Sequence, residues 1–204
     1  MAEQRVDLGA QESRHALQVL RLREGDPVQL LNGEGELAEA VIDVMDRDRA
    51  IALVTGVRTR PRNVLEVTLA MGLSKPKAME VVVQKGVELG LDKILIVACA
   101  RSVSRLNPHE LAQKVGKWRT TAIEALKQCG GFWLPRIEVF PSVWACLDRG
   151  ETVESRWVGA LTGTPRHPRE WLDQAARDTG RFPRKYQRGA EIGAPRIPRL
   201  WLCG

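Results

Sequence analysis

Histidine, cysteine and tyrosine are scarce in this chain of 204 residues, which has three, four and one of them. No two cysteines form a C-x-x-C pair, which argues against a zinc site and a disulfide framework and favours a reducing compartment, the cytoplasm. The cysteines are Cys99, Cys129, Cys146 and Cys203. The histidines, at positions 15, 109 and 167, are too scattered to indicate a metal site or a hydrolytic triad.

Long apolar runs and the common catalytic motifs are also missing. No stretch approaches the roughly 20 apolar residues that a membrane span needs, and the start MAEQRVDLG does not resemble a signal peptide, so a soluble protein is predicted. The sequence has no G-x-G-x-x-G, Walker, H-E-x-x-H or G-x-S-x-G motif. These absences favour a reaction in which the protein mainly binds and aligns two partners.

Positive charge is abundant. The formal net charge is +6 and the pI is about 9.5, which favours a polyanionic partner such as nucleic acid. Residues 181–199 hold six basic residues, one acidic residue and three prolines. This segment has two interpretations, a solvated loop or a basic arm that follows phosphates.

Residues 1–60 have the pattern of a small β-rich module. Two apolar runs between Val28 and Val44 flank the sequence Asn-Gly-Glu-Gly at positions 32–35, which predicts a hairpin, and residues 50–57 predict a further strand. A helix is predicted over Ser13–Leu22, ended by Gly25. The tract RTRPRN at 58–63 is interpreted as a linker.

Residues 64–204 alternate between strands and helices, which predicts an α/β fold with a parallel sheet and right-handed crossovers. The predicted strands are 64–73, 93–100, 135–140, 157–163 and a terminal one at 200–203, and the predicted helices begin at residues 76, 108, 142 and 168. The second helix has a strong start signal, with Asn107 as N-cap and Glu110 three residues later.

Polar residues follow several of these strands. Since loops after parallel strands gather at one edge of the sheet, Lys75, Arg101 and the loop 162–164 are predicted to meet there. Arg101 has two interpretations, a structural ion pair or a phosphate contact. Lys85 and Glu88 are three residues apart on a predicted helix, a spacing that also suits an ordinary surface ion pair.

Five segments in this order resemble the RsmE family, whose members methylate N3 of one uridine in small-subunit ribosomal RNA. The segments are HALQVLRLREGD (15–26), KPKAMEVVVQKGVELGLDKI (75–94), ARSVSR (100–105), KWRTTAIEALKQCG (117–130) and LPRIEV (134–139). The resemblance implies a PUA-like β-barrel over 1–60, which binds RNA, and a SPOUT methyltransferase domain over 64–204. It further implies a trefoil knot that binds S-adenosylmethionine, a homodimer, 16S rRNA as partner, and no metal.

The resemblance also assigns residues. The implied RNA or substrate contacts are Arg14, Arg21, Lys75, Lys85, Arg101, Arg119 and Gln128. The implied cofactor residues are Leu161, Thr162, Gly163, Leu202, Cys203 and Gly204. No residue is assigned as a general base.

The chain departs from the family pattern at two places. Gly131 stands where the family usually has arginine, so one phosphate or substrate contact is expected to be missing. In the family, a strand like LWLC runs into Gly-Pro-Glu-Gly-Gly, and the printed sequence stops at Gly204, so the knot segment is expected to be absent from it. Two alternatives therefore stay open, a non-catalytic RNA- or ribosome-binding protein and a SPOUT methyltransferase for another RNA.

Overall fold

The computed structural model describes residues 4–46, 49–63, 65–99, 107–148, 156, 158–159 and 169–170, and the backbone of 199–201. The chain divides into two compact units, residues 1–147 with 196–204, and residues 148–195. The strands of the described residues are β1 (Gln4–Asp7), β2 (Pro27–Leu31), β3 (Glu36–Met45), β4 (Ala50–Thr59), β5 (Thr68–Gly72), β6 (Lys93–Val97), β7 (Arg136–Phe140) and β8 (Arg199–Trp201). The helices are α1 (Gly9–Arg14), α2 (Pro76–Glu88), α3 (Pro108–Cys129) and α4 (Val143–Leu147).

The N-terminal strands form one sheet in the order β1-β4-β3-β2-β8, antiparallel except for the β2–β8 pair. The predicted hairpin is confirmed, since β2 and β3 pair from Pro27↔Val41 to Leu31↔Leu37 around the turn at 32–35. β4 extends to Thr59, so the predicted linker at 58–63 begins inside a strand.

The predicted helix at 13–22 is shifted in the structure. α1 begins at Gly9, and residues His15–Val19 continue it as a wider π-helical turn in which Leu20 N donates to His15 O at 3.0 Å. Such a turn holds one residue more than an α-turn. A repeat of 3.6 residues read from the sequence therefore misplaces the side chains of this segment.

The parallel α/β sheet is confirmed, in the order β5-β6-β7, with α2 and α3 as the connections between successive strands. Two of its strands are shorter than predicted. β5 begins at Thr68 rather than residue 64, and Val67 N, just before it, donates to the side chain of Asp92 (Oδ2, 2.9 Å). β6 ends at Val97 rather than residue 100.

The start of α3 is the capping box that the sequence predicts. Asn107 Oδ1 accepts from Glu110 N at 2.9 Å, and Glu110 Oε2 accepts from Asn107 N at 3.3 Å. Gly130, with φ of 70°, ends the helix in the left-handed conformation that glycine adopts without a Cβ penalty. The side chains of Trp118, Ala122 and Leu126 are buried on one face.

The two sheets share a core because β2 is buried on both of its faces. Val28 and Leu30 belong to the apolar cluster of the N-terminal sheet, whereas Leu31 packs with Met79 and Trp118 of the α/β layer. Four successive residues of β2, from Val28 to Leu31, are buried. The burial includes Gln29, the one polar residue of this run, as expected where both faces of a strand are covered.

The terminal strand was predicted in the wrong sheet. Arg199–Trp201 is a strand, but it pairs in parallel with β2 of the N-terminal sheet, with Leu200 opposite Leu30. β2 bonds to β3 along one edge only, so its second edge offers unpaired backbone groups to any apolar strand.

Other predictions fall largely outside the described residues. In the predicted strand 157–163 only Val158 and Gly159 are described, and neither lies in a strand. In the predicted helix beginning at 168, Arg169 and Glu170 are helical. The basic segment 181–198 lies outside the described residues, and the division into domains 1–60 and 64–204 stays a prediction.

Candidate nucleic-acid interface

The site begins with a contact between the β2–β3 turn and the α3–β7 loop. Gly35 N donates to Phe132 O at 2.9 Å, and Leu134 N donates to Gly33 O at 2.8 Å. The turn is shaped by Asn32, whose Oδ1 accepts from Glu34 N at 2.8 Å, as Asx turns do. Main-chain bonds therefore attach the turn to the loop.

Position 35 has to be a glycine because Trp133 of that loop lies directly against it. Its φ is +99°, and a Cβ there would lie 2.3 Å from Cζ2 of Trp133. The indole also donates from Nε1 to Arg60 O at 2.9 Å, and it packs against the glycine backbone. Trp133 is thereby held in one orientation.

A groove of about 660 Å³ opens beside this tryptophan. Arg62 lies over the indole, with its guanidinium carbon 4.3 Å from the ring centroid, which is a cation–π contact. Arg119 from α3 and Arg136 at the start of β7 line the same groove, together with Trp133. Apolar contributions come from Val115, Ala122, Leu134 and Ile137.

The three arginines differ in how they are paired. Arg62 Nη1 lies 3.4 Å from Asp92 Oδ1, a buried carboxylate whose other oxygen accepts from Val67 N. Arg119 and Arg136 have no ion pair or side-chain hydrogen bond with any residue that the structure describes. Two carboxylates, Glu34 and Glu138, also line the groove. With Asp92 counted beside Arg62, three arginines and three carboxylates surround the groove, so its charges balance, and Arg119 and Arg136 are the arginines without an ion-pair partner among the described residues.

A second pocket, of about 550 Å³, lies between α1 and α3 and includes Arg14, His15 and Gln18. Its floor is a buried ion pair, in which Lys127 Nζ lies 3.0 Å from Glu12 Oε1. Lys127 also pairs with Glu124 Oε1 at 2.8 Å. Glu12 Oε2 is buried and has no hydrogen-bond partner among the described residues.

The implied RNA contacts are dispersed. Arg119 lines the groove and Arg14 lines the second pocket, whereas Lys75 is the exposed residue just before α2. Arg21 is exposed, with a φ of 53°. Gln128 is exposed near the end of α3. Among the described residues, no hydrogen bond or ion pair joins any two of these side chains, and their role in binding stays a prediction.

Lys85 forms the surface ion pair that its spacing allows. Its Nζ lies 2.6 Å from Glu88 Oε2, and Gln84 Nε2 donates to the same carboxylate at 2.9 Å. The hydrogen bond from Lys85 holds the pKa of Glu88 below its ordinary value, with a smaller contribution from Gln84. The positive charge of Lys85 is therefore already paired with a carboxylate in this structure.

The predicted cofactor residues and Arg101 lie outside the described residues. The described carboxyl ends of β5 and β6 bear small or apolar groups, namely Gly72, Leu73 and Ala98. A Cβ on Gly72 would lie 3.1 Å from Cys99 Sγ, so the strand ends approach closely there.

Gly131 has a packing reason for its small size. A Cβ there would lie 2.5 Å from Cδ1 of Leu126, a residue buried in the core. A longer side chain at 131 therefore requires Leu126 to move. The contact that arginine is expected to make in the family has no equivalent at this position.

Arg62, Trp133 and Arg136 were missed in the sequence. The tracts RTRPR (58–62) and GFWLPR (131–136) hold the signal, because arginines beside an aromatic residue are typical of nucleic-acid surfaces. The two tracts are about 70 residues apart in sequence, and only the turn–loop contact brings them together.

The described part of the chain has neither a metal-binding cluster nor a membrane-spanning helix. Within it, no three His, Cys, Asp or Glu side chains are grouped so that they hold a metal ion. No helix there is both long enough and apolar enough to cross a membrane.

Two family models match this sequence. The one described as the RNA methyltransferase PUA domain matches residues 8–55. The one described as the RNA methyltransferase domain matches residues 61–178, which is more than half of the chain. The two matches follow each other in the order of the two sheets.

Individual relatives agree with these matches. Ribosomal RNA small subunit methyltransferase E of Bacillus subtilis is 30% identical over 140 residues, 68% of this chain and 55% of that protein. The protein of the same name from Synechocystis is 29% identical over 135 residues, 66% of this chain and 43% of that protein. The chain spans about half the length of these curated relatives.

A solved structure shows the same fold. The crystal structure of a Ribosomal RNA small subunit methyltransferase E from Neisseria gonorrhoeae, bound to S-adenosyl methionine, matches with a TM-score of 0.67 and 29% sequence identity. The match covers 74% of this chain and 63% of that one.

Proposed function

Because the chain belongs to the RsmE family of RNA methyltransferases, we propose that it methylates N3 of a uridine in 16S rRNA, with S-adenosylmethionine as methyl donor. The observation that carries the proposal is the match to the RNA methyltransferase domain over residues 61–178, on a parallel sheet whose three described strands have the expected order. The cofactor's contribution is an electrophilic methyl group on a sulfonium.

The proposed reaction depends more on aligning uracil N3 with the methyl group than on acid–base catalysis. N3 lies on the Watson–Crick edge of uracil and carries a proton in the neutral base, so the uridine has to be unpaired and has to lose that proton. Holding N3 in line with the methyl group supplies most of the acceleration. We infer that a cation near the base stabilises the developing imide anion, with Arg101 and Lys75, the residue just before α2, as the candidates.

The direct test is methyl transfer to RNA. The purified chain is incubated with radiolabelled S-adenosylmethionine and with small ribosomal subunits from a strain that lacks the modification, and the labelled nucleotide is mapped by mass spectrometry. If the gene encodes residues after Gly204, the longer chain is assayed beside it. We expect one labelled uridine, methylated at N3, in 16S rRNA.

Other outcomes select the alternatives. Label on a different RNA or atom indicates another SPOUT methyltransferase. Binding to the subunit without transfer by either chain indicates a non-catalytic RNA-binding protein.

Two further properties belong to the same proposal. We expect a homodimer, checked by sedimentation equilibrium. We expect a cytoplasmic location, where ribosomal subunits are assembled, checked by fractionation with antibody detection.

A further inference from the structure

We propose that the groove between the β2–β3 turn and α3 binds a single-stranded RNA segment, with phosphates on Arg119 and Arg136 and a base stacked on Arg62. The inference rests on the proposed function, since it takes RNA as the partner, and it adds where the strand lies. The groove is formed by the first of the two compact units alone.

The two outer arginines have reason to bind an anion. Both line a groove with several apolar residues, and neither has a carboxylate partner among the residues that the structure describes. Both side chains are exposed, so a phosphate can reach them from solvent. The planar guanidinium also matches two oxygens of a phosphate at once.

Arg62 is oriented for stacking rather than for a phosphate. The guanidinium carbon of Arg62 lies 4.3 Å from the ring centroid of Trp133, and Asp92, at 3.4 Å from Nη1, partly neutralises the charge. The side chain remains 41% exposed. A planar cation that is fixed on one side and partly open to solvent is a stacking platform for a nucleobase.

The size and charge of the groove select a single strand. A volume of about 660 Å³ lies in the range of small-molecule sites, with room for one or two nucleotides and not for a duplex. Glu34 and Glu138 in the lining oppose a dense array of phosphates. Two phosphates on Arg119 and Arg136 and one base on Arg62 occupy all three arginines and bring no further negative charge close to the two carboxylates.

The test compares two double variants in binding to a fluorescein-labelled oligouridylate of twelve nucleotides, by anisotropy over a salt series. Arg119→Gln/Arg136→Gln removes both groove cations. Arg5→Gln/Arg49→Gln removes the same charge from exposed pairs elsewhere on the N-terminal module. We expect the groove variant to bind at least about tenfold more weakly, and its slope of log K against log salt to fall by about 1.4, for two lost contacts to single-stranded RNA. The control changes affinity less than twofold.

Arg62→Lys tests the stacking step, because it keeps the charge and loses the planar group. We expect a loss of about fivefold or more in affinity at unchanged salt slope. An unchanged affinity refutes stacking at this position.

Three results overturn the inference. Equal weakening by both double variants means that only overall charge matters. Equally tight binding of a twelve-base-pair RNA duplex removes the single-strand preference. Displacement of the RNA by an oligoglutamate peptide at equal concentration identifies the groove as a site for acidic protein segments.

Methyl transfer distinguishes failure of this inference from failure of the proposed function. Transfer by the groove variant with unchanged KM for subunits leaves the function standing and refutes the groove. Groove-dependent RNA binding by a chain that transfers no methyl group leaves the groove standing and refutes the enzyme.

Discussion

Lys127→Met is expected to destabilise the fold strongly, because it leaves a carboxylate buried without its cation. The side chains of Lys127 and Glu12 are 6% and 7% exposed, and their atoms are 3.0 Å apart between α3 and α1. Breaking a buried pair by removing one partner costs about 3–5 kcal/mol. For a chain of this length that corresponds to a fall in Tm of roughly 6–20 °C.

The matched control lies on the same helix. Lys117 pairs with Glu80 at 2.6 Å, but its side chain is 67% exposed. Exposed pairs contribute at most about 1 kcal/mol, so Lys117→Met is expected to cost little. Both variants are measured by urea denaturation at pH 7, followed by circular dichroism.

A double variant distinguishes the loss of the Glu12–Lys127 ion pair from any other effect of a substitution at position 127. Glu12→Leu/Lys127→Met replaces both charges by apolar groups and is expected to recover stability to within about 1 kcal/mol of the parent. A cost for Lys127→Met no larger than that for Lys117→Met refutes the reasoning. The reasoning is also refuted if the double variant costs as much as Glu12→Leu and Lys127→Met do in sum when each is measured singly, because the two charges then do not interact.

Three further predictions concern single positions. Gly35→Ala puts a methyl group 2.3 Å from an indole carbon at a φ of +99° and is expected to cost about 2–4 kcal/mol in urea denaturation. The control Gly25→Ala, with a φ of +88° and open space around it, is expected to cost only the backbone strain. If Gly35→Ala and Gly25→Ala reduce the free energy of unfolding equally, the clash with Trp133 does not contribute. Asn107→Ala removes the α3 cap and is expected to cost about 1 kcal/mol by the same measurement, and no change means that water replaces the cap. The pKa of Asp7 is held below its ordinary value by the Gly9 amide and then by Arg49. The stabilisation from Asp7 is therefore present above the ordinary aspartate pKa and lost as pH falls through the lowered one, so the Tm gap between the parent and Asp7→Asn should close in strong acid; a gap that persists there contradicts the linkage.

Local features of the fold were predictable from the sequence because their physics is local. Asn107 and Glu110 satisfy backbone groups within one helical turn, and the glycine-rich turn at 32–35 sets the hairpin register by itself. The apolar run of β6 indicates burial on both faces wherever the strand lies.

Pairings across the chain were not predictable in the same way. The apolar run around Leu200 indicates a strand but does not identify its neighbour, and it was assigned to the wrong sheet. The groove depends on a contact between Arg62 and Trp133, which are about 70 residues apart in the sequence. The periodicity of a local segment carries no information about such a contact. The π-helical turn after α1 likewise breaks the repeat on which a helical-face prediction depends.

The turn–loop contact at Gly33 and Gly35 has a consequence for divergence within the family. Its hydrogen bonds run between main-chain atoms: Leu134 N donates to Gly33 O, and Gly35 N donates to Phe132 O. Peptide groups are the same in every sequence, so this junction constrains few side chains beyond the glycine beneath the indole. The groove-lining residues on either side can therefore be exchanged during evolution while the main-chain attachment of the turn to the loop is kept.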